Sequence, residues 1–135
     1  MVKYFMPNLK ITKYVSDWLK RAEDDIATVE ILIKENISPN SICFHCQQAV
    51  EKLLKGFLAY QEKNVRKVHD IRMLVSLCEE IDKEFSDLYD EADYFSKFYI
   101  ETRYPGDFPE FSWQEAKEAF EITKKIKEFV LAKIK

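Results

Sequence analysis

The chain has 135 residues, of which 47% are hydrophobic and 33% charged, so we expect one globular domain rather than a disordered chain or two ordinary domains. Its formal net charge of −3 excludes a whole-protein attraction for nucleic acid or for an anionic membrane. Any surface that binds nucleic acid must therefore be a local basic patch.

The cellular location is predicted from the N-terminal segment and the cysteines. Residues 1–13 mix lysines with apolar residues and lack the continuous apolar run of a secretory signal. The odd set of Cys43, Cys46 and Cys78 is typical of reduced thiols inside a cell. We therefore expect a cytoplasmic protein in which residues 1–135 form a single helical domain, with residues 1–13 as a partly irregular arm.

The first half of the chain predicts two long helices, because its apolar residues recur at intervals of three and four. The first helix should begin between Leu9 and Ser16 and end near Asn36. The second should run from Pro39 to about Gln61, with a proline in its first turn and a serine before it as the cap.

The second half of the chain predicts three more helices. A short one opens at His69-Asp70, and a longer one covers about Glu84–Arg103. The pair Pro105-Gly106 is a strong turn signal, and Ser112–Glu115 has the sequence of a capping box that starts the last helix. Five helices with short links and no strand predict an all-α fold, a five-helix antiparallel up-and-down bundle.

The second helix carries a polar strip along an otherwise apolar surface. The strip consists of His45, Gln48, Glu51, Lys52 and Lys55. Either the strip has partners inside the bundle, or it lines a site. If neighbouring helices are antiparallel, the end of the second helix lies near the start of the third and the end of the fourth. The second half of the polar strip approaches the same place. The residues expected to converge there are Lys52, Lys55, His69, Asp70, Arg103 and Tyr104, with Lys63, Arg66 and Lys67 on the rim. A basic patch at a helix N-terminus favours a phosphate-bearing ligand.

Four segments carry a family likeness. They are Ala22–Ile26, the run Cys46–Lys55 (which looks like QQAxEKxLK), His69–Ile71 (like THDL) and Thr102–Pro105 (like ARYP). By their order and spacing, the chain resembles the HEPN domains, in the small stand-alone form of bacteria and archaea. The likeness extends roughly from Ser16 to the C-terminus.

The resemblance implies an antiparallel helical bundle, often paired into a homodimer. Such proteins are commonly encoded beside a minimal nucleotidyltransferase, in what are read as toxin–antitoxin modules. Some members bind nucleotides, and others are metal-independent ribonucleases. The ribonuclease branch has a histidine four to six residues after an arginine near the end of the fourth helix.

This chain departs from the ribonuclease pattern. No histidine follows Arg103, and the histidines present, His45 and His69, both precede it. Because RNA cleavage by acid–base catalysis needs a group that titrates near neutral pH, the departure favours binding over catalysis. A second departure is Val68, where the family often has a threonine.

Several polar residues allow a structural interpretation. We expect Asp25 to bond Lys52 or Lys55 inside the bundle, and Gln47 and Glu51 to form hydrogen bonds with their neighbours within the bundle. The sequence leaves a structural and a functional role equally open for Lys52 and Lys55. The same holds for the pair His69-Asp70. Cys43 and Cys46 lie in the apolar stripe in the middle of the second helix. We expect them to be small buried hydrophobic residues rather than zinc ligands or a redox pair, so they are not candidate site residues.

Three hypotheses follow. The first is a module that binds a nucleotide or RNA and needs no metal and no cofactor. It would form a homodimer and act with a nucleotidyltransferase partner in a toxin–antitoxin-like system. Its binding residues would be Lys52, Lys55, His69, Asp70, Arg103 and Tyr104, the last stacking on a base. The second is a metal-independent ribonuclease toxin that uses His69 with Arg103. The third is a purely structural interaction domain.

Overall fold

Helices make up most of the protein. The computed structural model describes residues 10–98 and 110–134. No strand occurs in these ranges, which confirms the all-α prediction, and none of their helices is long and apolar enough to cross a membrane. The described ranges contain five α-helices: α1 (Lys13–Lys34), α2 (Pro39–Tyr60), α3 (Ile71–Ile81), α4 (Tyr89–Tyr94) and α5 (Trp113–Lys133).

Helices α1 and α2 form an antiparallel pair whose turn has the predicted chemistry. The Ser38 hydroxyl accepts a hydrogen bond from the Ser41 N–H at 3.1 Å, and Pro39 occupies the first turn, where its missing N–H has no helical partner to lose. At the other end, the Tyr14 hydroxyl of α1 lies 3.4 Å from Oδ1 of Asn64, just beyond α2. Both predicted helices are therefore confirmed.

Helix α2 lies at the centre of the bundle, with α1, α3 and α5 packed around it. Most of its residues are buried, as expected for a helix that is apolar around most of its circumference. Cys43 and Cys46 are fully buried free thiols, and burial raises the pKa of both thiols to about 12. They therefore stay protonated at neutral pH and pack as small apolar groups.

The fourth helix differs from its prediction. The sequence predicts one helix over Glu84–Arg103, whereas the structure has a 3₁₀ turn at Lys83–Leu88, the short α4, and a second 3₁₀ turn at Phe95–Phe98. The predicted end of this helix lies outside the described residues. The described part is therefore a chain of short helical turns.

The spacing of the buried residues explains these short turns. Phe85 and Leu88 are three residues apart, as are Phe95 and Phe98, and all four are buried. A 3₁₀ turn has three residues, so it keeps such a pair on one face. The four-residue step from Leu88 to the buried Ala92 fits the α-helical turn between them.

Helix α5 begins at the predicted capping box. The Ser112 hydroxyl accepts a hydrogen bond from the Glu115 N–H at 3.0 Å, and the Ser112 N–H donates to Oε1 of Glu115 at 2.9 Å. This reciprocal pair satisfies two N–H groups that the first helical turn leaves free. The start of the last helix is therefore confirmed.

Candidate functional site

The Glu51 cluster consists of Glu51, Lys55 and His69. Oε2 of Glu51 accepts a hydrogen bond from Nζ of Lys55 at 2.8 Å and lies 2.9 Å from Nδ1 of His69. Lys55 is only 2% exposed, and its ammonium also donates to the backbone oxygen of Arg66 at 2.7 Å. Because a buried charge needs such partners, Lys55 is engaged within the protein.

His69 is the accessible member of the Glu51 cluster. Its side chain is 54% exposed, whereas that of Glu51 is 6% exposed. Since a carboxylate oxygen accepts hydrogen bonds, Nδ1 donates to Glu51 and Nε2 is left to accept one. The carboxylate therefore orients the ring and selects the tautomer, as second partners of functional histidines often do.

The link 61–70 brings His69 to the middle of α2. The contact between Lys55 and the Arg66 carbonyl ties this link back along the helix. Helix α3 consequently begins beside Glu51, whereas the sequence predicted that it begins beside the end of α2. Asp70 caps α3, because its Oδ1 accepts a hydrogen bond from the Arg72 N–H at 3.0 Å, which confirms the acidic helix start predicted there.

A pocket of about 190 Å³ opens beside His69. Its apolar part includes the buried Ile71, Ala92 and Phe95. Its lining residues are Gln47, His69, Asp70, Ile71, Arg72, Ala92, Phe95 and Ser96. An apolar concavity with a few polar groups is the usual form of a small-ligand site.

Gln47 lines this pocket, which differs from the role predicted for it. It was expected to satisfy the bundle, yet within the described part of the chain its side chain makes no hydrogen bond, although the residue is only 3% exposed. It lies one helical turn before Glu51, on the same face of α2, and its side chain lines the pocket. The only sequence signal was its place beside the polar strip, which cannot reveal whether an amide has a partner.

Arg72 lies at the rim of the pocket and contacts the neighbouring helix. Its Nη1 lies 2.8 Å from both carboxylate oxygens of Asp93, and its guanidinium lies 4.6 Å from the ring centroid of Tyr89. These contacts tie α3 to α4 on one side of the pocket. Arg72 is thus occupied by the protein itself.

A second polar cluster, the Asp25 cluster, consists of Asp25, His45 and Lys52. Oδ2 of Asp25 accepts a hydrogen bond from Nζ of Lys52 at 2.7 Å, and its Oδ1 lies 2.9 Å from Nδ1 of His45. The predicted bond between Asp25 and Lys52 is confirmed. The cluster joins α1 to α2, and none of its members lines the pocket beside His69.

The predicted binding residues thus fall into different places. His69 and Asp70 line the pocket, whereas Lys55 does not line it but is bonded to Glu51. Lys52 belongs to the Asp25 cluster. Arg103 and Tyr104 lie outside the described residues. In the described ranges, no three His, Cys, Asp or Glu side chains are arranged to share a metal ion. Ligand binding by the six predicted residues stays a prediction.

Two solved structures are similar to this chain in sequence and fold. TT1696 from Thermus thermophilus is 30% identical, with a TM-score of 0.77 over 91% of this chain and 100% of that one. ST0689, an archaeal HEPN homologue, is 26% identical, with a TM-score of 0.72 over 90% of this chain and 98% of that one.

A related protein from Methanocaldococcus jannaschii, described as the candidate toxin MJ1304, is 44% identical over 46 residues. That stretch is 34% of this chain and 30% of the relative, so the similarity spans less than a third of the relative's length. The sequence model of the HEPN domain matches residues 15–134. This match covers nearly the whole chain and agrees with the two solved structures, and it shows that the chain belongs to the HEPN family.

Proposed function

We propose that this protein is a HEPN-type module that binds a nucleotide or an RNA end in the pocket beside His69, and that it acts in a toxin–antitoxin-like system. The observation that carries the proposal is the orientation of His69 by Glu51 at the mouth of a pocket with an apolar floor. Family membership and the similarity to the candidate toxin MJ1304 support the biological context.

The pocket combines two kinds of surface that suit a nucleotide. The buried Ile71 and Phe95 offer apolar area to a flat ring, and the exposed His69 edge offers a hydrogen bond to a sugar or phosphate. The Asp70 carboxylate at the start of α3 offsets the positive end of the helix dipole. The proposed phosphate contacts therefore come from His69 and from cationic side chains, Arg103 among them.

The proposal includes a minimal nucleotidyltransferase as the protein partner, a homodimeric state and a cytoplasmic location. The HEPN family supports the first two, and the three buried free cysteines suit a reducing compartment. The proposal also includes Tyr104 as the side chain that stacks on a base.

A second candidate function is metal-independent cleavage of RNA by His69 and Arg103. One observation favours it: the Nδ1 contact of His69 with Glu51 leaves Nε2 free to take a proton from a ribose hydroxyl. Cleavage of single-stranded RNA in the presence of a metal chelator, lost in both His69→Ala and Arg103→Ala, is the expected result if this function holds.

The proposed function is tested by isolating the native protein with whatever co-purifies and identifying nucleotides and protein partners by mass spectrometry. Calorimetric titration with nucleoside monophosphates and with short single-stranded RNA then measures binding directly. We expect saturable binding of at least one of these ligands. If none binds and none co-purifies, the remaining explanation is a purely structural interaction domain.

A further inference from the structure

We infer that the pocket receives the base of an unpaired nucleotide and that the amide of Gln47 recognises the hydrogen-bonding edge of that base. The inference rests on the proposed function, since it names the part of the ligand that enters the pocket. It starts from the state of Gln47, which is 3% exposed, lines the pocket, and forms no hydrogen bond with any residue in the described ranges.

Solvent in the pocket reaches the amide of Gln47: within the described ranges, the fully buried side-chain atoms that lack a partner belong to Trp18 and Glu91. A ligand that enters the pocket displaces this solvent, and an amide that loses water without gaining a partner weakens binding. The neighbouring polar groups of α2 do not supply one: Glu51 is engaged with Lys55 and His69. A ligand that binds in the pocket therefore has to supply a hydrogen-bond partner for Gln47.

The chemistry of an amide narrows the class of ligand. Gln47 offers an acceptor oxygen and a donor nitrogen side by side. The edge of a nucleobase offers an adjacent donor and acceptor as well, and glutamine pairs with such an edge in protein–nucleic acid complexes. A phosphate group has acceptors only, and an aliphatic chain has neither, so both would leave part of the amide unpaired.

The rest of the pocket fits a planar ring more than a charged group. Ile71, Ala92 and Phe95 are buried apolar residues, and the side chain of Arg72 is held by Asp93. His69 at the mouth then faces the sugar and phosphate, which remain outside the apolar part. A base inside a duplex is stacked and already paired, so only an unpaired base can enter.

The neighbouring Gln48 provides a matched control. It has the same side chain on the same helix, is partly exposed, and does not line the pocket. Consecutive helical residues point about 100° apart, so Gln48 faces another direction. Gln47→Leu and Gln48→Leu thus remove the same amide from two different environments.

The experiment measures calorimetric binding of the four nucleoside monophosphates and of ribose 5-phosphate, together with the thermal unfolding midpoint. For Gln47→Leu we expect affinity for the monophosphates to fall about tenfold or more, because a site built to pair a polar edge loses that pairing. Affinity for ribose 5-phosphate should not change. The midpoint of the free variant should change little, because the amide has no protein partner to lose in the described ranges and is reached by solvent.

Gln48→Leu should leave all these values as in the unmodified protein. Gln47→Glu, which keeps the size but replaces the donor by an acceptor, should change the order of affinity among the four monophosphates. This second variant keeps the test decisive if Gln47→Leu does not fold. Single-stranded RNA should compete with a bound monophosphate, and the corresponding duplex should not.

The possible failures are distinguishable. If the unmodified protein binds monophosphates and Gln47→Leu and Gln47→Glu bind them equally well and in the same order, the role of Gln47 is wrong while the proposed function stands. Equal competition by duplex RNA would likewise overturn the entry of an unpaired base. If the unmodified protein binds no nucleotide and no RNA, the proposed function and this inference both fail.

Discussion

The Asp25 cluster and the Glu51 cluster are built alike. In each, one carboxylate lies 2.9 Å from a histidine Nδ1 and accepts a hydrogen bond from a lysine, at 2.7 Å from Lys52 and at 2.8 Å from Lys55. Their settings differ. The Asp25 cluster joins two long helices, whereas the Glu51 cluster joins α2 to the start of α3 beside a pocket.

The difference shows that similar polar groups do not by themselves define a site. The lysine of the Asp25 cluster is 22% exposed, whereas Lys55 is 2% exposed and its charge depends on protein partners. The histidine of the Glu51 cluster is the more exposed of the two, with 54% against 32% for His45. The Glu51 cluster thus pairs a deeply buried charge with an open ring edge, and we expect it to matter for both stability and binding.

The largest expected effect is on stability. Glu51→Ala leaves the Lys55 ammonium buried with the Arg66 carbonyl as its remaining hydrogen-bond partner, so we expect a loss of about 3–5 kcal/mol in the free energy of unfolding. Asp25→Ala should cost less, about 1–3 kcal/mol, because Lys52 is near enough to the surface to be hydrated. Urea unfolding followed by circular dichroism measures both.

The double variant Glu51→Leu, Lys55→Met is the control for this comparison. Replacing both buried charges by apolar groups should recover most of the stability that Glu51→Ala loses. Equal losses for Glu51→Ala and Asp25→Ala would show that the burial of Lys55 does not separate the two clusters.

The second expected effect is on binding. His69→Ala should weaken the binding of nucleoside monophosphates about tenfold or more, because it removes a polar contact at the mouth of the pocket. His45→Ala removes the corresponding ring of the Asp25 cluster and should leave binding unchanged. Calorimetric titration of the two variants compares them directly. A larger loss of affinity for His45→Ala would show that the ligand binds at the Asp25 cluster instead.

The smallest expected effect is on stability, at a surface ion pair. Its loss of unfolding free energy can be compared with the losses at both clusters. Nζ of Lys133 lies 2.9 Å from Oδ2 of Asp82. Burial raises the pKa of the Asp82 carboxyl, but hydrogen bonds from Lys133 and from the Glu84 N–H outweigh it, so the pKa lies below its usual value of 3.8. A lowered folded-state pKa stabilises the protein above the unfolded value, and this stabilisation is lost as the pH falls through the folded value.

Lys133→Met should therefore lower the free energy of unfolding by about 0.5–1 kcal/mol at neutral pH. The difference from the unmodified protein should shrink as the pH falls below the folded-state pKa of Asp82. Unfolding curves at neutral and acid pH measure it. A difference that stays constant with pH would show that Lys133 acts through packing rather than through its charge.

The sequence by itself determined most of the helices. Periodicity located α1, α2 and α3, and local capping chemistry located helix boundaries at Ser38, Asp70 and Ser112, because a cap depends on residues within one turn. The bond between Asp25 and Lys52 was also predictable, since a charge on the buried face of one helix needs a partner on its neighbour.

Only the tertiary structure decided how the polar groups are paired. Lys52 and Lys55 are three residues apart on one helix, yet the path of the link 61–70 brings Arg66 and His69 to Lys55 and Glu51, while α1 brings Asp25 to Lys52. Gln47 and Gln48 are identical in type, and nothing local shows which one is buried against the pocket. Such pairings depend on residues far apart in sequence, so the pocket and its unpaired amide emerge only when the helices pack.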